Sequence, residues 1–190
     1  MGDFNSYIKG IDKSFIKDLC ISKGRAVSYK KNESFARKGI TTSYMGYIKR
    51  GYFKYIIQNQ TEGKEYIVGF VFEDEFVADY PSCLYDLPAN VTIKAAVSCE
   101  VYLLEGREFR TILEQSEESR LAYPLAEHLF LQTYRRYLNM YAYTPEERYR
   151  ELLKHCPEVF QTLTLKEIAS YLKVTPATIS NIRRKITFGK

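Results

Sequence analysis

Hydrophobic positions along this chain change their spacing twice. Near the start, Asp12–Ile21 places Phe15, Ile16 and Leu19 on one helical face, and Gly24 follows as a stop. From Val27 to Leu104 the texture shortens. Runs such as YMGYIKR, YFKYIIQ, EYIVGFVF, NVTIKAAV and CEVYLL alternate with Gly, Asn and acidic breaks. β-branched and aromatic residues in runs recurring every ~8–12 residues predict the strands of a sandwich or barrel. Tyr52–Gln58 and Glu65–Phe72 flank QNQTEGK, the pattern of a hairpin.

At Glu108 a helical period returns. Through Tyr143 there is no Gly and one Pro, Pro124. The apolar positions Leu121, Leu125, Leu129, Phe130, Leu131, Tyr134, Tyr137, Leu138 and Tyr141 cover more than one face, so the helix must be buried on more than one side. One face can cover the β domain, and the other calls for a second chain. A parallel helix pair and a homodimer are therefore expected, with Leu121, Leu125, Leu129, Tyr134, Tyr137, Leu138 and Tyr141 at the interface. Thr144-Pro145-Glu146-Glu147 then reads as an N-cap, a first-turn Pro and dipole-favoured acids. That helix runs to about His155, and Pro157 ends it. The boundaries expected are a β domain over 1–118, a long helix over 119–143 and a C-terminal domain over 144–190.

The C-terminal domain carries the sharpest pattern. Thr164-Leu165-Lys166-Glu167 is a capping box opening LKEIASYL, with Ile168, Ala169 and Leu172 inward. A tight turn at Lys173-Val174 leads to Thr175, which caps a second helix with Pro176 first and Ile179 and Ile182 inward. This is a helix-turn-helix pattern, and Ala169 is small where the two helices approach. Ala177, Ser180, Asn181, Arg183 and Arg184 share the second helix's polar face. Asn can read an adenine edge, and Arg a guanine edge or a phosphate. Two short amphipathic helices can also pack as a plain subdomain.

Charge weighs toward DNA. The formal net charge of +5 is mild as a total. Residues 144–190 hold nine bases and five acids, and Val174–Lys190 contains no acid. By contrast, Glu65 to Ile93 has six acids and no Lys, Arg or His. One end suits a polyanion and the middle repels one.

Composition removes whole classes. A 45% hydrophobic content is too high for a disordered chain. Cys20, Cys83, Cys99 and Cys156 have neither metal spacing nor the density of a disulfide scaffold, so a reducing cytoplasm is expected. The start MGDFNSYIKG lacks a signal-peptide core, and no apolar run is long enough to span a membrane. The only histidines are His128 and His155, which leaves no cupin-type metal cluster and no Ser-His-Asp or Cys-His arrangement. Neither an enzyme nor a bound metal or cofactor is expected. His128 with Cys83 or Cys99 could be imagined as haem ligands, but inert core thiols are the plainer reading.

The β region, the long helix and LTLKEIASYLKVTPATISNIRRKI together resemble the Crp-Fnr superfamily of bacterial transcription regulators, over about residues 10–188. The resemblance implies an α+β fold. Its parts are an N-terminal double-stranded β-helix (jelly roll), a long dimerisation helix and a C-terminal winged helix-turn-helix, the wing here reduced or absent. It implies a pseudo-palindromic DNA site met by two recognition helices. DNA contacts are then expected from Thr164, Thr175, Ala177, Thr178, Ser180, Asn181, Arg183, Arg184 and Lys185. Ala177, Ser180, Asn181 and Arg184 are the base-edge candidates; Arg183 and Lys185 the phosphate ones. RNA polymerase and a small-molecule effector of unknown identity are the further partners. Members that bind cyclic AMP use a Gly-Glu pair for the ribose and an Arg-Ser pair for the phosphate. Ala78-Asp79 and Ala89-Asn90 stand at those places here. Without the Arg, a buried phosphate has no cation to offset its desolvation. Each acid near 6 Å adds repulsion of roughly 2–3 kcal/mol at an effective dielectric near 20. Cyclic AMP and cyclic GMP are therefore not expected to bind. Phe70, Phe72, Ala78, Asp79, Tyr80, Ala89 and Asn90 would outline any remaining effector pocket, for a neutral or cationic ligand or none. The competing reading is a ligand-binding or protein-interaction module with a degenerate DNA-binding domain.

Overall fold

The computed structural model describes residues 4–5, 14–115 and 119–188, and leaves out the side chains of 113–115, 119–125 and 128. Leu121, Leu125 and His128 thus lie outside the described side chains. After α1 (Ser14–Lys23) come β1 (Arg25–Tyr29), β2 (Ser34–Ala36), β3 (Tyr44–Arg50), β4 (Phe53–Gln58), β5 (Glu65–Val71) and β6 (Phe76–Val77). A short α2 (Tyr80–Tyr85) precedes β7 (Thr92–Ala95) and β8 (Cys99–Glu105). The rest is helical: α3 (Gly106–Gln115), α4 (Ser119–Ala142), α5 (Pro145–His155), α6 (Val159–Thr162), α7 (Leu165–Tyr171) and α8 (Pro176–Phe188).

The strands form two antiparallel four-stranded sheets, ordered β1-β8-β3-β6 and β2-β7-β4-β5. Except at the β4–β5 hairpin, consecutive strands switch sheets, as in a jelly roll. Between the sheets lie Phe35, Ile48, Phe53, Val71, Ile93, Val101 and Leu103. Tyr29 and Phe35 meet Phe53 edge-on, with centroids 5.5 and 5.9 Å away. Sheet one is covered on its outer face as well. Met45, Tyr47 and Leu104 pack there against Ile16, Leu19 and Cys20 of α1 and Phe109 of α3. This double burial explains why CEVYLL is nearly continuously apolar instead of alternating. α2 is pressed onto the start of α3: a Cβ at Gly106 would lie 1.9 Å from the Cys83 carbonyl oxygen.

The predicted hairpin is present, with Gln58 opposite Glu65. Asn59 Oδ1 accepts the Thr61 and Glu62 amides, and Gly63 takes the positive φ (65°) that the turn needs. A bulge falls where Tyr55 pairs with Gly69 and Ile56 with Ile67, so Val68 is the extra residue.

The C-terminal helices have their own apolar centre of Tyr149, Leu152, Val159, Ile168, Ala169, Leu172, Ile179 and Ile182. It is continuous with Phe4, Tyr52, Phe70 and Phe72 of the β side. α7 lies along β5, the edge strand of the second sheet. The Ile67 amide donates to Ser170 Oγ at 2.9 Å, and Lys54 pairs with Glu167 at 3.7 Å with both side chains largely shielded. A helix thus covers an edge that would otherwise offer unpaired backbone.

Candidate nucleic-acid interface and β-roll cleft

α7 and α8 form a helix-turn-helix whose local chemistry follows the sequence. Thr164 and Glu167 exchange both bonds of the capping box, and Thr175 Oγ1 accepts the Thr178 amide at 3.1 Å. Between the helices Lys173 adopts φ 54°, while the Val174 amide reaches back to the Ala169 carbonyl at 2.9 Å. That is a Schellman closure built without Gly. Ile179 and Ile182 are buried, which turns Ala177, Ser180, Asn181, Arg184 and Lys185 outward. Thr164 and Thr175 are also exposed, and Thr178 is half-buried.

The basic residues differ among themselves. Arg184 donates to Asn181 Oδ1 at 2.8 Å, so the two form one exposed unit. Lys185 lies 4.0 Å from Glu146. Arg183 turns back into the domain. Its Nε donates to the Tyr149 hydroxyl at 3.0 Å, and its guanidinium stacks over Phe160 at 5.6 Å. Arg183 therefore joins α8 to α5 and α6, a role its sequence position did not reveal.

Of the seven effector-pocket candidates, Phe70, Ala78 and Tyr80 line one cleft of about 320 Å³ between β5, α2, α3 and α4. Phe72 is in the aromatic cluster beside Phe4 instead, and Ala89 is buried between the sheets. Asp79 is buried and fully engaged. Its Oδ1 accepts the Ser82 amide at 3.2 Å, capping α2, and its Oδ2 accepts the Asn90 amide at 3.0 Å. Asp79 and Asn90, the two sequence-distant pair members, thus meet in a backbone clasp. Ala78 is clasped as well: the Tyr55 hydroxyl donates to its carbonyl at 3.1 Å and accepts its amide at 3.3 Å. Burial pushes the Tyr55 phenol well above its ordinary range. Burial likewise pushes the Cys83 thiol up to about 12, so that sulfur is a neutral hydrophobe at the cleft wall.

The sequence showed no cation near this cleft, and the fold brings one. Arg136 of α4 donates to Asn5 Oδ1 at 2.8 Å, and Gln132 donates to the same oxygen at 2.7 Å. Asn5 in turn donates to the buried Glu75 carboxylate at 2.8 Å. Asn5, Glu75, Gln132 and Arg136 all line the cleft. These residues are scattered over more than a hundred positions, so no local motif could have announced them.

The outer face of α4 remains open. Phe130, Tyr134, Tyr137, Leu138 and Tyr141 are exposed at heptad-like spacing, and Leu129 is partly exposed at the cleft rim. Phe130 stacks on Tyr134 and Tyr137 leans on Tyr141, with centroids 5.6 and 5.1 Å apart. No described helix is long and apolar enough to cross a membrane.

Comparison with known proteins agrees with this architecture. Residues 26–116 match the family model of the cyclic nucleotide-binding domain. The global regulator CLP of Xanthomonas campestris, described as c-di-GMP-responsive, superposes with a TM-score of 0.68 at 15% identity, covering 93% of this chain and 92% of that one. A regulator of the Crp/Fnr family from Eubacterium rectale gives a TM-score of 0.66 at 17% identity, covering 90% and 82%. The chain has the Crp/Fnr regulator fold. A CooA variant of Carboxydothermus hydrogenoformans shares that Crp/Fnr architecture, with a TM-score of 0.73 at 13% identity over 97% of this chain and 87% of that one. No curated protein matches the chain.

Proposed function

We propose that this protein is a cytoplasmic, dimeric, sequence-specific DNA-binding transcription regulator that does not respond to cyclic AMP. The observation that carries the reading is α8. It buries Ile179 and Ile182 and presents Ala177, Ser180, Asn181 and Arg184 to solvent on an acid-free helix. A pair of such helices fits successive major grooves about 34 Å apart. The exposed stripe Phe130, Tyr134, Tyr137, Leu138 and Tyr141 supports pairing through α4, because a monomer would leave this apolar patch in water. Thr164, Thr175 and Thr178 position the motif, and Lys185 meets phosphate. RNA polymerase is the natural protein partner of such a regulator.

The Asp79 clasp supports the second half of the reading. Its carboxylate already accepts two buried amides, and Ala89 offers no cation where the phosphate would lie. Within the β-roll, what remains for a small-molecule effector is the cleft under α4, with Arg136 and Glu75 at its polar end and Phe70, Phe76, Leu84 and Phe109 along its apolar side. Selection from random duplexes tests the reading. An enriched palindromic motif is the expected result. Absence of enrichment at low salt would favour an interaction module with a degenerate DNA-binding domain. Calorimetry should show no micromolar affinity for cyclic AMP or cyclic GMP.

A further inference from the structure

A second concavity, larger than the β-roll cleft, lies where the three parts of the chain meet. It encloses about 1110 Å³. One wall is the β4–β5 hairpin with Ile57, Asn59 and Tyr66. A second is the C-terminal half of α4 with Arg135, Arg136 and Tyr137, together with Tyr143 just beyond its end. The third is formed by α5 (Arg148, Glu151, Lys154) and by Ser170–Lys173 at the end of α7.

Its charge is one-sided. Arg135, Arg136, Arg148, Lys154 and Lys173 line it, against the single acid Glu151. Arg135, Lys154 and Lys173 make no ion pair among the described residues. Arg148 gives its terminal nitrogens to the Met140, Tyr143 and Leu172 carbonyls, at 3.4, 2.9 and 3.2 Å. Its Nε is buried with no hydrogen-bond partner among the described residues. A buried donor left unmatched costs about 1–3 kcal/mol, which favours an acceptor arriving from outside the chain. Beside these cations stand Tyr66, Tyr137 and Tyr143, aromatic rings on which a planar ring can stack; Lys64 Nζ lies 5.0 Å from the centre of the Tyr66 ring and adds a further cation there. No residue of α8 contributes to the lining, so the groove is separate from the DNA-reading surface.

We infer that this groove binds a nucleoside polyphosphate. Its phosphates would lie among Arg135, Lys154 and Lys173, and its base against Tyr66. The volume is at the upper end of small-molecule sites and suits a ligand with both a ring system and several phosphates. The electrostatics are the opposite of those in the Glu65–Ile93 segment. A cation-rich rim beside aromatic side chains selects an organic anion, and a purely apolar effector would leave Arg135, Lys154 and Lys173 without a counter-charge. Because the walls belong to the hairpin, the long helix and the helix-turn-helix, a bound ligand would tie all three together.

Titration of the full chain with ATP, GTP and inorganic tripolyphosphate, followed by calorimetry, tests this. At physiological salt one or both nucleotides should bind with a dissociation constant below 100 μM (about −5.5 kcal/mol) and at least ten-fold more tightly than tripolyphosphate. The triple substitution Arg135→Gln, Lys154→Gln and Lys173→Gln should weaken nucleotide binding at least ten-fold. Tyr66→Ala should erase the preference over tripolyphosphate, yet leave tripolyphosphate binding unchanged. Arg135, Lys154 and Lys173 are exposed and Tyr66 is half-buried, and an unaltered melting temperature confirms that the variants fold. Three results would overturn the inference: no nucleotide binding below millimolar, nucleotide affinity equal to that of tripolyphosphate, or nucleotide affinity unaffected by the triple substitution. Selection of a DNA motif by the same preparations is read independently, so loss of one property does not obscure the other.

Discussion

The β-roll and the helix-turn-helix treat their diagnostic residues in opposite ways. In the β-roll the polar groups around the expected effector site are turned inward: Asp79 caps α2 and holds the Asn90 amide, and Tyr55 holds both backbone groups of Ala78. In α8 the corresponding groups face outward, and only Arg183 is drawn into the domain. The lesson is that a polar residue signals binding only if the fold leaves its hydrogen bonds unspent. Residue type alone does not separate Asp79 from Asn181.

The sharpest way to break this contrast is at α4. Replacing Tyr134 and Leu138 by Glu places carboxylates in the exposed apolar stripe. Sedimentation should show a monomer, and affinity for the selected duplex should fall more than 100-fold, because one half-site is lost to each molecule. Next in size, Asn181→Ala and Arg184→Ala should each cost roughly 1–3 kcal/mol of specific binding, read by gel shift against the selected site. Arg183→Ala should behave differently. It removes the Tyr149 bond and the Phe160 stack, so melting of the domain should fall while the salt dependence of DNA binding holds. Arg184→Ala and Lys185→Ala together should flatten that salt dependence.

On the β-roll side, Asp79→Ala removes a cap worth ~0.5–2 kcal/mol and leaves the Asn90 amide unmatched. Urea denaturation should show a loss of about 2 kcal/mol, with no gain or loss of cyclic AMP binding. A midpoint unchanged by the substitution would mean that Asp79 is not engaged as the clasp requires. The smallest effect concerns pH. The Tyr47 hydroxyl, and then Lys17, hold the Asp74 carboxyl below its ordinary 3.8. A carboxyl with a lowered folded value stabilises the protein above the ordinary value and loses that contribution as pH falls through the folded one. Asp74→Asn should therefore lower stability slightly at neutral pH and make the acid limb below pH 3.8 shallower.

Much of the fold was legible because its signals are local. The hairpin around QNQTEGK, the capping box at Thr164, the N-cap at Thr144, and the inward Ile179 and Ile182 each depend on neighbours within about a turn. The site was legible in part. Ser180 and Asn181 point outward as their helical phase demands, since phase is itself a local property. Arg183 differs because Tyr149 and Phe160 arrive from α5 and α6. The cleft's Asn5, Glu75, Gln132 and Arg136 were not legible, because hydrogen bonds between residues up to 131 positions apart follow no period. The short helices α2 and α6 escaped notice for a related reason, being too brief to show a repeat.

Arg148 joins the end of the long helix to the end of α7 through main-chain oxygens alone. Carbonyls are the same whatever side chain they carry. Residues 140 and 143 can therefore drift through evolution without loosening this joint, whereas position 148 has no such latitude and Leu172 is held by the apolar centre. Lys cannot replace a planar fork that reaches three acceptors on two helices. Across related chains, the joint should appear as an invariant arginine beside variable residues at positions 140 and 143.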